Sequence, residues 1–373
     1  MSQRDPFSEL GESVRELFSG DAAAGPFEEL ALELFALQYR YNAPYRRYCE
    51  AAGRTPGSVT DWRQVPAAPA AAFKEFDFSC LPLSRRTAMF CSSGTTRPVA
   101  SRHYHCGESL ALYEGSVLAG FRRHFGSNFE RVLILIPPPA QAPHSSLAYM
   151  FAVVGRAWGR GQETWLGRVG QGGVWEVDAP AALHQLEAAA GGGRPVLVLG
   201  TALAHLDLIA AGQAENARFK LPPGSAALET GGYKGRTRRL SRTELYWQIG
   251  SFLGIPQASI VGEYGMCELS SQAYDARPEA LIRSAPNGPD AAGDLNRRRF
   301  VFPPWARVRM ISPETGAEVG EGQTGLIRVY DLANVYSVMA VQTEDLAVRH
   351  EDGFELVGRA AAAEPRGCSL AAA

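Results

Sequence analysis

Lysine is almost missing from this chain: only Lys74, Lys220 and Lys234 occur, although lysine and arginine together number 37. Basic positions are therefore nearly all arginine, and each remaining lysine marks a place where a compact ammonium stands instead of a planar guanidinium. Long apolar runs are missing too. The densest, around Val196 to Leu199, falls far short of the roughly 20 residues that a membrane-spanning helix needs. The N-terminal stretch mixes Arg4, Asp5, Glu9, Glu12 and Arg15 with scattered apolar side chains, so it has no signal-peptide centre and a cytoplasmic protein is expected. Neither charge sign dominates. A net charge of -2 gives no global field for nucleic acid or anionic membrane, so partners must be recognised locally. The six cysteines, Cys49, Cys80, Cys91, Cys106, Cys267 and Cys368, form no C-x-x-C pair, which argues against zinc and against a disulfide scaffold.

What is present is a folding composition, 46% hydrophobic and 20% charged over 373 residues, enough for one large domain or two ordinary ones. The stretch Phe90-Cys91-Ser92-Ser93-Gly94-Thr95-Thr96-Arg97-Pro98 gathers hydroxyls around one glycine. A glycine lets successive N–H groups converge on an anion, and Ser and Thr add donors, so this reads as a phosphate loop. It is not the common P-loop, whose lysine is lacking; a polar turn between two strands is the plainer alternative. Apolar spacing predicts a helix from Phe27 and a second from near Pro44, then a helix over Glu108 to Phe125. Arg131 to Ile136 and Pro195 to Gly200 read as buried strands, with helices at Leu183 to Ala190 and Leu203 to Ala211, an α/β alternation. Ser241 and Glu244 predict a capping box for a helix running to Phe252. Val308 to Ser312, Gly325 to Tyr330 and Phe354 to Val357 read as short strands. A second glycine turn lies at Thr230-Gly231-Gly232-Tyr233-Lys234-Gly235.

Several stretches now stand in a telling order: Ser92 to Thr96, Gly231-Gly232, Glu263-Tyr264-Gly265-Met266-Cys267-Glu268, Thr343-Glu344-Asp345 and Gly358-Arg359. This order resembles the adenylate-forming enzymes, and within them the acyl-protein synthetase (LuxE-type) family. Further parts of the resemblance are Phe73-Lys74, Pro303-Pro304-Trp305, Asp331-Leu332-Ala333-Asn334 and Arg366-Gly367-Cys368-Ser369-Leu370. It implies an α/β fold like the large domain of those enzymes: packed mixed sheets flanked by helices, with a β-rich distal part. It also implies ATP and Mg²⁺. Ser92, Ser93, Gly94, Thr95 and Thr96 would hold phosphates and Glu268 the metal, for which a carboxylate is a natural hard ligand. Tyr264, Gly231 and Gly232 would meet adenine, with Gly265 also in the cofactor site, while Asp345 would meet the ribose and Arg359 the ribose or a phosphate. Taken singly, Glu268 reads equally as a helix-start carboxylate, Asp345 as a turn residue and Tyr264 as a core aromatic. His144-Ser145-Ser146 is placed at an acyl pocket rather than in a hydrolase site, since no G-x-S-x-G occurs.

Three departures shape the expectation. Arg97 stands where that loop usually has glycine, and Cys267 where related motifs carry threonine. Only a short tail follows Arg359, with no room for the mobile small domain that usually brings a catalytic lysine. Lys234 is the expected substitute, ahead of Lys74. The acyl acceptor implied by the resemblance is Cys368, with Arg366 beside it to favour the thiolate. The expected organisation is a helical N-terminal part at 1–80, a nucleotide- and acyl-binding large domain at 81–357 and a flexible tail at 358–373. The expected activity is activation of a carboxylic acid, a fatty acid by the resemblance, as acyl-adenylate, transfer to Cys368, and delivery to a partner such as an acyl-CoA reductase-like enzyme. An acid–CoA or amide-forming ligase of the phenylacetate–CoA ligase type stays open as an alternative, as does a non-catalytic nucleotide-binding subunit.

Overall fold

The computed structural model describes residues 5–19, 26–92, 100–126, 129–159, 161–231, 240–276 and 298–360. The chain forms two compact units. One draws on Met1–Gly120, Gly265–Ala273 and Phe302–Glu364, the other chiefly on Phe121–Tyr264 and Tyr274–Val301.

The first unit opens with three helices. In α1 (Pro6–Ser19), Phe7, Leu10 and Val14 recur at helical spacing and are buried; in α2 (Phe27–Tyr41), Phe27, Leu30, Leu34 and Phe35 are. Asn42 closes α2 by donating its N–H to the Gln38 carbonyl and opens α3 (Ala43–Ala51) by accepting from the Tyr45 N–H. Pro44 lies in the first turn of α3, where a missing N–H costs nothing. After β1 (Ala68–Pro69), the strands β2 (Ala88–Cys91) and β3 (Arg102–His105) pair antiparallel. Helix α4 (Gly107–Arg122) follows.

The second unit alternates strands and helices: β4 (Arg131–Ile134), α5 (Ser146–Trp158), β5 (Glu163–Trp165), β6 (Gly167–Val169), β7 (Trp175–Val177), α6 (Ala179–Gly192), β8 (Val196–Gly200), α7 (Ala202–Ala214), β9 (Ala226–Glu229), α8 (Arg242–Leu253) and β10 (Ile260–Tyr264). Its sheet runs in the order β5-β4-β8-β9-β10, every pairing parallel. All five residues of β8 are buried, which suits a continuous apolar strand covered on both faces. Helices supply the cover. Leu183, Leu186, Leu208, Leu245, Ile249 and Phe252 pack with Val196, Val198 and Ile260 in one core. The predicted capping box is present in both arms at Ser241 and Glu244. Helix α8 ends at Gly254, whose φ of 67° is the left-handed cap that favours glycine. From Tyr274 onward the unit also contains β11 (Ala273–Ala276), paired antiparallel with β12 (Arg299–Val301).

The chain then returns to the first unit in an antiparallel run, β13 (Ala306–Ile311), β14 (Thr324–Asp331), β15 (Ala340–His350) and β16 (Gly353–Arg359). Here the two ends of the sequence meet. Ala68 of β1 pairs with Val341 of β15, and buried Gln38 donates to the carbonyls of Asn334 and Val335 while accepting from the Met339 N–H. Among the described residues, no helix is long and apolar enough to cross a membrane.

Candidate nucleotide and metal site

The predicted site residues divide between the units, and each unit holds its share by a different device. In the first, the hydroxyl-rich loop joins β2 to β3. Ser92 sits at its mouth, exchanging backbone and side-chain hydrogen bonds with Ser101: Ser92 N–H to the Ser101 carbonyl at 3.1 Å, and Ser101 N–H to Ser92 Oγ at 2.9 Å. Ser93, Gly94, Thr95 and Thr96 lie outside the described residues. A neighbouring knot fixes the hairpin, since the Asp77 carboxylate accepts from Arg86, Arg102 and the Tyr104 hydroxyl.

Glu268 belongs to the same unit, in the segment that Gly265 opens, and its side chain is fully buried. Cys267 Sγ donates to Glu268 Oε2 at 3.2 Å, a weak S–H hydrogen bond. Mg²⁺ bound with a nucleotide needs only one or two protein carboxylates, the phosphates supplying the rest. A single buried carboxylate with hard oxygen donors fits that requirement.

Asp345 and Arg359 are brought together by strand register. They are Cα partners on β15 and β16, and Arg359 Nε donates to Asp345 Oδ1 at 2.9 Å while Nη2 reaches Glu344 at 3.0 Å. The register depends on a bulge: Leu346 faces Gly358 but Ala347 faces Leu356, leaving Val357 as an extra residue. Gly358, at φ 154°, takes up the distortion with a backbone angle that side chains rarely adopt.

In the second unit, Gly231 follows the C-terminal end of β9, at φ 28° with open space where a Cβ would stand. Its carbonyl accepts from the Ala202 N–H at 3.0 Å, anchoring the turn to the start of α7. Gly232 and Lys234 lie outside the described residues. Tyr264 ends β10, largely buried, with its ring edge-on to Phe300 at 6.3 Å. Both positions are at carboxyl ends of parallel strands, where open α/β sheets bind ligands.

Two carboxyls near those same strand ends had no role assigned from the sequence, although Glu263 stands in the quoted motif. Glu229 and Glu263 are buried, and burial, reinforced for Glu229 by Asp275 and Glu263, pushes them up to about 8 and about 7. Asp275 is tied to Arg298 at 2.7 Å, to the Gly262 N–H at 2.7 Å and to the Tyr246 hydroxyl at 2.8 Å. The signal for Glu263 was its place immediately before Tyr264; nothing local marks Asp275.

Other predicted residues have plainer surroundings. Ser145 caps α5 by accepting from the Ala148 N–H, and His144 beside it is exposed. Phe73 is core, Lys74 half-buried and Lys220 exposed. Cys49, Cys80, Cys91, Cys106 and Cys267 are not joined in disulfides. Burial pushes Cys49 up to about 12 and raises Cys80 and Cys91 as well. Cys368 lies outside the described residues.

No family model and no curated protein matches this sequence. Solved structures do. An open form of 2-hydroxyisobutyryl-CoA ligase, in complex with 2-HIB-AMP and CoA, aligns at TM-score 0.64 and 12% identity over 89% of this chain and 74% of that one. The same ligase in its postadenylation state with 2-HIB-AMP gives 0.65 and 13% over 89% and 67%. Its thioesterification state gives 0.64 and 12% over 94% and 67%. Identity at this level speaks for architecture. The chain is a mixed α/β protein with the fold of the adenylate-forming enzyme large domain.

Proposed function

We propose that this protein is an ATP-dependent ligase that converts a carboxylic acid to its acyl-adenylate and passes the acyl group to Cys368, and from there to a partner protein of the acyl-CoA reductase kind. The observation that carries the reading is the fold, shared along most of the chain with a ligase solved with an acyl-adenylate, on which the motif residues follow the order that the chemistry needs. In the first step a substrate carboxylate oxygen attacks the α-phosphorus of ATP, forming the acyl–phosphate bond as pyrophosphate leaves. Ser92 to Thr96 would hold the phosphates, with Lys234 adding a cation as charge shifts onto the leaving group. Glu268 would hold Mg²⁺, which when bound neutralises phosphate charge. Asp345 would accept from the ribose hydroxyls beside Arg359, and Gly231, Gly232, Tyr264 and Gly265 would border adenine.

In the second step a thiolate attacks the acyl carbon, the thioester forms, and AMP leaves with the bonding electron pair. A thiolate is the better nucleophile, and a neighbouring positive charge favours it. Cys368 beside Arg366 is the acceptor that the resemblance to acyl-protein synthetases implies. The test is intact mass after incubation with ATP, Mg²⁺ and a panel of carboxylic acids. The wild type is expected to gain one acyl group that neutral hydroxylamine removes; Cys368→Ser is expected to keep acid-dependent pyrophosphate exchange and gain no labile group. Labile acyl on Cys368→Ser would move the acceptor to another cysteine. The similar ligase was solved with CoA, so the second reading is an acid–CoA ligase. A wild type that never acylates itself but consumes ATP when CoA is supplied would establish it instead.

A further inference from the structure

The segment bearing Glu268 has no helix or strand from Gly265 to Gln272, yet from Cys267 onward it is buried. A buried irregular backbone must find its hydrogen bonds elsewhere. It finds them on side chains from two distant parts of the same unit. His103 on β3 places Nδ1 2.7 Å from the Cys267 carbonyl; a carbonyl only accepts, so Nδ1 carries the proton. Asn334, in the turn after β14, donates through Nδ2 to the Glu268 carbonyl at 2.9 Å and to Val338 at 2.8 Å. Asp331 at the end of β14 accepts from the Ser270 N–H at 2.8 Å and the Ser271 hydroxyl at 2.7 Å. All three side chains are buried.

The two carbonyls held by His103 and Asn334 are those on either side of the Glu268 Cα. Fixing both peptide planes fixes the direction in which the Glu268 side chain leaves the backbone. Asp331 then stops Ser270 and Ser271, two and three residues further on, from relaxing. Asn334 is itself secured through its own carbonyl by Gln38 at 2.9 Å, so the hold is rigid at its far end.

We propose that His103, Asn334 and Asp331 are positioning residues for Glu268, aiming its carboxylate at the Mg²⁺ of a bound nucleotide. The proposal rests on the reading of Glu268 as the metal carboxylate. It gives the Asp331-Leu332-Ala333-Asn334 turn a task in the chemistry without contact with nucleotide or acid. Groups that orient a metal ligand in this way are typically worth about 10- to 100-fold in metal affinity.

The experiment uses the full-length chain with Mn²⁺ as the probe, its binding in the presence of ATP followed by electron paramagnetic resonance. His103→Leu removes the donor, whereas His103→Asn keeps an N–H near the Nδ1 position. We expect His103→Leu to weaken Mn²⁺ binding about 10- to 100-fold and to raise the Mg²⁺ needed for half-maximal pyrophosphate exchange by a similar factor. Metal-free ATP affinity should hold, and His103→Asn should recover most of the loss. Asn334→Asp, which loses its donor to Glu268, should behave like His103→Leu if it folds; the His103 pair decides the matter if it does not. A folded His103→Leu with wild-type Mn²⁺ affinity overturns the proposal, as does an Asn variant no better than the Leu one. Glu268→Gln is measured in parallel. Undiminished Mn²⁺ binding there overturns the metal assignment itself, whereas a loss confined to Glu268→Gln overturns only the positioning role.

Discussion

Asp345 faces Arg359 across two strands, and its side chain is largely shielded from water, as is that of Arg359. Asp345→Asn keeps the shape and removes the charge. Glu344 remains on the same guanidinium at 3.0 Å and the amide oxygen can still accept from it, so the ligand-free protein should keep most of its stability. ATP affinity should fall roughly ten- to a hundredfold, because hydrogen bonds to a charged acceptor are worth about 1.5–3 kcal/mol. Titration calorimetry and thermal melting without nucleotide together check this. A large stability loss with unchanged ATP affinity would mark Asp345 as purely structural. The pairing was partly legible beforehand: both residues were singled out, but the bulge that aligns them was not, because an extra residue in one strand leaves no local composition signal. His103 was missed for a related reason. It lies 164 positions from the carbonyl it holds, and only the closed fold makes the two neighbours.

Elements with a local cause were the readable ones. The Ser241 and Glu244 pair announced α8, and the unbroken apolar run announced β8. Helix α1 was expected only within a helical N-terminal part and had no bounds of its own, although Phe7, Leu10 and Val14 keep helical spacing, because Gly11 and the charges around it blur the pattern. Strand β15 was overlooked because Thr343-Glu344-Asp345 interrupts its apolar residues; pairing with β14 on one side and β16 on the other makes it a strand. The parallel strands of the second unit carry a consequence for pH. Glu229, ending β9, faces Asp275, Glu263, Arg242 and the Tyr246 hydroxyl, and its carboxyl is raised to about 8 from an ordinary 4.5. Such a group contributes stability below pH 4.5 that is lost as pH rises through 8, because the unfolded chain ionises first. Glu229→Gln imitates the protonated form. Variant and wild type should therefore melt alike near pH 5, and the variant should melt higher near pH 8.5; a difference that does not change with pH would show that Glu229 is ionised in the folded protein throughout.

At the scale of the molecule, scarcity itself makes an experiment clean. With three lysines in 373 residues, each can be removed singly and the set compared. Lys234→Ala should slow acyl-adenylate formation more than Lys220→Ala, since Lys220 is exposed and Lys234 follows the Gly231-Gly232 turn. Equal rates in a pyrophosphate-exchange assay would leave the cation to Lys74 or to an arginine. The division of the chain has a further outcome for biosynthesis. The first unit is sewn from three stretches, and Gln38 and Ala68 find their partners only at residues 334–341. Residues 121–264, by contrast, contain all five parallel strands of their sheet in one continuous piece. On a ribosome the middle of the protein can thus close while its beginning still waits for strands that have not been translated. The three N-terminal helices meanwhile expose the apolar faces that α1 and α2 bury in the finished protein, which makes them the part of a nascent chain most in need of a chaperone.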